Sequence, residues 1–235
     1  MENLQNQFIQ AFLYKDRWRV FFAKGLEISL IETIGALAIG LVLGIVIAVI
    51  RTMYDQNPRS HNPLTFLLNG FGKIYTTVIR GIPMFVQLLI FGFVIFRYSR
   101  NMIGVGMLSL GINSGAYVAE IIRGGIMSID PGQMEAGRSM GLGYTQVMKS
   151  VVIPQAIKNI LPALSNEFIT LFKDTSLLSA IGVAELTKAA VHVQGLTYQP
   201  FMPYFGAAAV YLVVVMILTW LQGILERRLR RSDRI

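Results

Sequence analysis

The sequence predicts an all-α membrane protein with five transmembrane helices, on the basis of its composition and its long apolar runs. Of its 235 residues, 54% are hydrophobic and only 14% are charged. An ordinary soluble domain carries about 25% charged residues. The composition therefore excludes a soluble domain, and it also excludes a disordered or fibrous chain.

Five apolar runs are long enough to cross the hydrocarbon layer of a bilayer, which takes about 20 residues in a helix. The predicted spans are residues 26–50, 75–96, 105–127, 153–178 and 204–225. The second span is interrupted by Arg80, Gly81 and Pro83, and the third and fourth carry several polar side chains. The second and third spans are therefore unusually polar for helices that face lipid.

Residues 1–25 are predicted to form an amphipathic helix in the membrane interface. Phe8, Ile9, Phe12 and Leu13 fall at helical spacing beside polar residues, which is the pattern of an interfacial helix. The segment has no pattern of a cleaved signal peptide, so the first span is expected to direct insertion.

The distribution of basic residues predicts the orientation in the membrane. An odd number of spans places the two termini on opposite sides. Residues 51–73, residues 123–158 and the C-terminal tail hold twelve of the 21 Lys and Arg residues, an excess typical of cytoplasmic loops. We therefore expect a multi-pass protein of the cytoplasmic membrane, with its N-terminus outside and its C-terminus in the cytoplasm. The net charge of +8 is attributed to these loops, and no nucleic-acid partner is expected.

Residues 128–152 form a polar segment whose residue pattern predicts regular structure instead of a flexible loop. Asp130 is placed to cap a helix whose first position is Pro131. Gly141 and Gly143 predict a turn before a second helical stretch that reaches Pro154. Two short helices joined by a turn would form a rigid helical protrusion on the cytoplasmic face.

The same segment resembles the EAA signature in the membrane subunits of ATP-binding-cassette (ABC) importers. Glu135, Ala136, Gly141 and Pro154 stand at matching spacing, while Gly137 replaces the usual third alanine and costs about 1 kcal/mol of helix propensity. Over about residues 20–225, further motifs resemble the polar amino-acid permeases of this group. These motifs are Arg80–Pro83 with Gln87, Asn113–Glu120, Arg123–Ile126 and Lys173–Leu177.

The resemblance implies the fold of a type I ABC importer permease, with residues 1–235 forming one transmembrane permease domain. Residues 128–152 would contain the coupling helix, which binds a separate dimeric ATPase. A second permease chain, identical or different, would complete the pore, and an external amino-acid-binding protein would deliver the substrate. The residues implied in ATPase coupling are Gln133, Glu135, Ala136, Gly137, Gly141, Leu142 and Gly143.

The chain itself carries no motif for nucleotide hydrolysis. Gly72 and Lys73 form its only Gly-Lys pair, and they lack the upstream glycine of a phosphate-binding loop. No cofactor is therefore expected on this chain, and ATP with Mg²⁺ is expected on the partner ATPase. The histidines lack metal-ligand spacing and no serine lies in a nucleophile elbow, so we expect neither a metal site nor an enzyme.

Polar side chains recur on shared faces of the predicted spans. An ionisable side chain near the bilayer centre costs at least about 2.5 kcal/mol, so each one needs a partner, a wet cavity or an exit to the interface. Arg80 and Gln87 are seven residues apart and are expected on one side of the second span. At about 100° per residue, one face of the third span carries Asn113, Tyr117, Glu120 and Gly124, and one face of the fourth carries Glu167, Thr170 and Asp174.

Apart from Gly124, the residues just named are the eight candidate substrate contacts. A free amino acid presents a carboxylate and an ammonium, and polar or charged side chains are needed to bind both groups. Asn113, Tyr117 and Thr170 would orient the ligand. A carboxylate would receive the ammonium or a basic side chain, and the candidates are Glu120, Glu167 and Asp174. The surplus of carboxylates favours a basic amino acid.

Structural roles remain open for the same residues. Glu120 has Arg123 as a possible partner, Asp174 has Lys173, and Arg80 suits a structural or gating role. Glu27 and Glu32 are expected at the outer interface or in subunit contacts. A passive channel or a membrane scaffold without an ATPase remains the alternative function, and an intramembrane enzyme is a third.

Overall fold

The computed structural model of the chain describes residues 4–56 and 62–231, with side chains through Leu229. The regular elements within these residues are all helical. The α-helices are α1 Leu4–Phe8, α2 Lys24–Gln56, α3 Pro63–Gly81, α4 Met84–Ile90, α5 Met102–Met127, α6 Pro131–Ser139, α7 Tyr144–Val147, α8 Ile153–Asp174, α9 Leu186–Thr197 and α10 Phe201–Arg231. Short π-helical or 3₁₀ segments lie at Ile9–Leu13, Tyr14–Asp16, Trp18–Ala23, Phe91–Ile95, Met148–Val152 and Thr175–Ile181.

Three helical stretches are long and apolar enough to cross a bilayer, namely Trp18–Gln56, Met102–Met127 and Phe201–Leu229. Two further candidates are pairs of helices that are bent at a short break. These pairs are Pro63–Gly81 with Met84–Ile95, and Tyr144–Ile181 with Leu186–Thr197. If each pair is one span, the count is five, as the sequence predicted.

The second predicted span is not a single helix. Its first helix, α3, begins at Pro63 behind an Asn62 cap, well before residue 75. It ends at Gly81 because Pro83 disfavours helical backbone at the preceding residue, and Ile82 is extended, with φ −100° and ψ 132°. The expectation that Arg80 and Gln87 share one side of a helix is therefore wrong, because their spacing has that meaning only in a continuous helix.

The N-terminal segment is helical and amphipathic, but it is made of short pieces. Lys15 and Asp16 have φ values of 52° and 54°, a left-handed conformation that interrupts the helix. Ile9 and Leu13 are exposed, as an interfacial segment requires, whereas Phe12 is buried against Phe22. One face of the segment therefore packs on the protein, and the other is exposed.

The chain forms two compact units. The first contains residues 4–37, 83–111 and 168–220, and the second contains residues 38–56, 62–82, 112–167 and 221–231. In the first unit one apolar cluster includes Leu88, Leu110 and Leu178, and another includes Phe12, Phe22, Leu186 and Val193. The cluster of the second unit contains Ile126, Val147, Val152, Ala156 and Ile160.

Helix α9, Leu186–Thr197, belongs to the first unit, and Glu185 caps its start. Glu185 determines the start, because its carboxylate accepts hydrogen bonds from the backbone amides of Thr187 at 2.6 Å and Lys188 at 2.7 Å. These bonds satisfy amides that have no partner within the helix.

Candidate functional site

The 128–152 segment has the two short helices and the turn that the sequence predicted. Asp130 caps α6, and its Oδ1 accepts a hydrogen bond from the Gly132 amide at 2.8 Å. Gly141 adopts φ 86°, a conformation that glycine takes without steric penalty. The Leu142 amide then donates to the Gly137 carbonyl at 3.2 Å, which closes the end of α6.

Gly137 allows α6 to pack closely on α7. A Cβ atom at position 137 would lie 2.7 Å from Cγ2 of Val147, too close for an ordinary contact. Val147 is fully buried, and Leu142 packs against the same apolar cluster. The glycine at the third position of the EAA-like motif therefore has a structural reason that outweighs its lower helix propensity.

The outer surface of the segment is polar except for one large apolar side chain. Met140 is 82% exposed at the end of α6. Sequence reasoning missed this residue, although an apolar residue directly before the Gly141 turn was an available signal. Met140 is therefore the one large apolar side chain that this segment presents on its surface. The predicted coupling residues that are also exposed are Gln133, Glu135, Ala136, Gly141 and Gly143.

Four side chains of α2 and α5 form a charge ladder, defined by Arg51, Asp55, Glu120 and Arg123. Arg51 pairs with Glu120, and Nε of Arg123 lies 2.8 Å from Oδ2 of Asp55. Nη1 of Arg123 also lies 3.8 Å from Oε2 of Glu120. Along α2 the basic Arg51 precedes the acidic Asp55, whereas along α5 the acidic Glu120 precedes the basic Arg123. Each contact between the two helices therefore joins a basic side chain to an acidic one. Sequence reasoning considered only Arg123 as a partner for Glu120.

The charge ladder is tied to other elements of the second unit. Arg51 is 7% exposed, and its Nη1 donates to the Thr76 hydroxyl of α3 at 3.1 Å. Gly72 leaves room for Arg51, because a Cβ atom there would lie 3.2 Å from Arg51 Cγ. At the end of α2, Gln56 accepts a hydrogen bond from the Tyr144 hydroxyl at 3.4 Å. This bond links α2 to the 128–152 segment.

The polar stripe of α5 has partners on two helices of the second unit. The guanidinium of Arg80 lies over the Tyr117 ring, 5.2 Å from its centroid. Asn113 is 8% exposed. Next to it, the Ser114 hydroxyl donates to Glu167 Oε1 at 2.7 Å, and both side chains are buried. Among the predicted residues, the structure thus brings Arg80 to Tyr117, and it places Glu167 beside α5.

The other predicted contacts belong to the first unit. Gln87 is buried on α4, and Thr170 and Asp174 are half-buried, one turn apart on α8. Glu32, expected near the outer interface, is fully buried, and neither of its carboxylate oxygens has a hydrogen-bond partner among the residues that the structure describes. A Cβ atom on Gly106 would lie 3.3 Å from its Oε1. The expectation for Glu32 is therefore wrong, because neighbouring helices of the same unit cover it.

The helical spans and the exposed 128–152 segment define a membrane-embedded subunit that works with another protein. Residues 40–231 match the family described as binding-protein-dependent transport system inner membrane components. Because this match covers well over half of the chain, the protein belongs to that family.

Relatives and solved structures agree with this assignment. The chain is 35% identical to the arginine transport system permease protein ArtQ of Bacillus subtilis, over 91% of this chain and 94% of that protein. It is 31% identical to the glutamine transport system permease protein GlnP of Escherichia coli K12, over 88% and 92% of the two chains. A crystal structure of an amino acid ABC transporter with histidines superposes with a TM-score of 0.81 and 41% identity, covering 92% of this chain and 98% of that one.

The family confirms that the chain is a membrane permease subunit of an ABC importer with the predicted fold. Nucleotide hydrolysis belongs to a separate subunit, and membership implies partnership with an ATPase and a binding protein. The passive-channel and scaffold alternatives gain no support from these relatives.

Proposed function

We propose that the chain carries a polar, preferably basic, amino acid across the cytoplasmic membrane by alternating access. Two relatives are named for arginine and glutamine transport, and the similar crystal structure holds histidines. The main support within the chain is Glu167, a buried carboxylate beside the polar stripe of α5. A buried carboxylate suits an ammonium or guanidinium group because a charge-assisted hydrogen bond compensates its desolvation.

The assembly that we propose has two permease chains, identical or different, and a cytoplasmic ATPase dimer that holds ATP and Mg²⁺. An external binding protein supplies the amino acid. Residues 1–235 act as one permease domain, and residues 128–152 are the part that contacts the ATPase. Met140 serves as the apolar anchor of this contact, since most of its side chain is exposed.

The N-terminus is outside in this proposal, and the C-terminus is cytoplasmic. Five spans and the basic end of α10 support this orientation. The described part of the chain includes the side chains of Arg227 and Arg228. The side chains of Arg230 and Arg231, and all of Arg234, lie outside it.

The candidate substrate contacts differ in their support. Glu167 and Asn113 are buried in the second unit beside Ser114. Glu120 contacts Arg51, and Arg80 contacts Tyr117. These contacts favour a positioning or gating role for Glu120, Arg80 and Tyr117. For three residues of the first unit, the proposal rests on the sequence pattern, and these are Gln87, Thr170 and Asp174.

The substrate assignment is tested with Glu167→Gln in proteoliposomes that contain the chain, its ATPase and its binding protein. The glutamine still accepts the Ser114 hydrogen bond, so folding is expected to survive. Arginine uptake should fall at least about tenfold, because a hydrogen bond to a charged group contributes about 1.5–3 kcal/mol, and glutamine uptake should fall less. Glu226→Gln is the matched control. Equal loss of arginine and glutamine uptake would contradict a charge-selective role.

The coupling assignment is tested with Met140→Asp and the conservative control Met140→Leu. An exposed residue contributes little to folding, so both variants should insert normally. Met140→Asp should reduce copurification of the ATPase, whereas Met140→Leu should keep it. Unchanged copurification of Met140→Asp would show that the ATPase binds elsewhere.

A further inference from the structure

A cavity of about 320 Å³ in the first unit is lined by three basic side chains, Lys24, Lys188 and His192. Lys24 begins α2, while Lys188 and His192 lie four residues apart and therefore on one face of α9. Phe21 and Ile28 flank Lys24 at helical spacing and supply apolar wall. The cavity thus combines concentrated positive charge with apolar surface.

The two lysines have no acidic partner within the described part of the chain. None of the cavity-lining residues is acidic, and neither lysine forms an ion pair among residues 4–56 and 62–231. Glu185 precedes Lys188 by one turn, but its carboxylate accepts the amides of Thr187 and Lys188 and, at 3.0 Å, the hydroxyl of Tyr211. Its charge is satisfied there, so the ammonium groups remain available to an anion.

The walls of the cavity are fixed by direct contacts. A Cβ atom on Gly25, the residue after Lys24, would lie 2.9 Å from Cα of Leu186. The backbones of α2 and α9 therefore meet beside the cavity. The His192 ring lies against Phe21, with 4.6 Å between centroids. These contacts fix the backbone positions from which Lys24 and Lys188 extend, together with the His192 ring.

We propose that this cavity binds the phosphate of an anionic phospholipid. Lys24 directly precedes the apolar run 26–50, and Trp18 is 44% exposed, a pattern typical of a membrane boundary. Lysine binds phosphate as a point charge, and an imidazole N–H donates in either protonation state. The volume equals that of about ten water molecules, which suits a headgroup, and the apolar wall suits the glycerol and the first methylenes.

The test measures binding of dioleoyl phosphatidylglycerol to the full chain by native mass spectrometry. Dioleoylglycerol, which lacks the phosphate, is the reference lipid. Lys24→Gln with Lys188→Gln should bind roughly twenty-five-fold more weakly, because each lysine near a membrane surface contributes about a fivefold gain. The control pair, Lys15→Gln with Arg19→Gln, removes the same charge outside the cavity and should change binding less than about threefold.

Lys24→Arg with Lys188→Arg keeps the charge and should keep the binding, which separates loss of charge from loss of folding. Equal binding by the unmodified chain and the glutamine pair would overturn the proposal. An equal loss in the Lys15 and Arg19 control would also overturn it, because the effect would then be a general surface charge. Displacement of phosphatidylglycerol by millimolar inorganic phosphate would assign free phosphate as the ligand and overturn the lipid assignment.

Discussion

The substitution Glu120→Gln removes one negative charge from the charge ladder and keeps the shape of the side chain. Its partner Arg51 is 7% exposed and stays charged, because arginine is not deprotonated in proteins. Removing one partner of a buried ion pair costs about 3–5 kcal/mol. The Glu120 side chain is 25% exposed, so we expect the lower end, about 3 kcal/mol. At about 2–4 °C per kcal/mol for a chain of this size, the unfolding midpoint should fall by roughly 6–12 °C.

The opposite substitution, Arg51→Met, should cost less, about 1 kcal/mol. The carboxylate that it leaves is partly exposed and lies 3.8 Å from Arg123. The double variant should resemble Arg51→Met, so the cycle gives a coupling energy of about 3 kcal/mol.

The assay follows tryptophan fluorescence during thermal unfolding in detergent, and uptake is measured in parallel. If Glu120→Gln unfolded like the unmodified chain and yet lost uptake, the ion-pair argument would be refuted and Glu120 would be a ligand contact.

Three further experiments test other contacts. Gly137→Ala should lower the unfolding midpoint, and Val147→Ala should restore it by making room for the new methyl group; a loss that Val147→Ala does not restore would contradict the packing argument. Glu185→Ala should speed amide hydrogen exchange at the start of α9, since loss of a cap costs about 1–2 kcal/mol. Asp55→Arg should reduce thermal stability, and adding Arg123→Asp should recover only part of the loss, because the pair between positions 55 and 123 is restored while the new carboxylate lies near Glu120.

The spans and the 128–152 segment were predictable because they depend on rules that act along the chain. Length and hydropathy determine a span. Asp130, Pro131 and Gly141 mark a cap, a first helical position and a turn wherever they occur in this order. The break at Ile82 was predictable in part, because Pro83 indicated an interruption of the helix. The start of α3 behind Asn62 was not predicted.

The contacts that sequence reasoning missed join residues far apart in the chain. Arg51 and Glu120 are separated by 69 residues, and no periodicity pairs them. Glu32 was placed at the interface from its position near the end of a span, yet its depth depends on neighbouring helices that its own helix does not specify. The reason for Gly137 likewise became visible only when Val147 was seen to fill the space beside it.

The most direct test of the transport function is amino-acid accumulation by proteoliposomes that contain the chain with its ATPase and binding protein. We predict uptake against a gradient that requires ATP on the ATPase side. Glu135→Lys or Gly141→Trp in the 128–152 segment should abolish this uptake without preventing insertion of the chain. Equilibration of the amino acid through the chain alone, without ATP, would contradict the function proposed above.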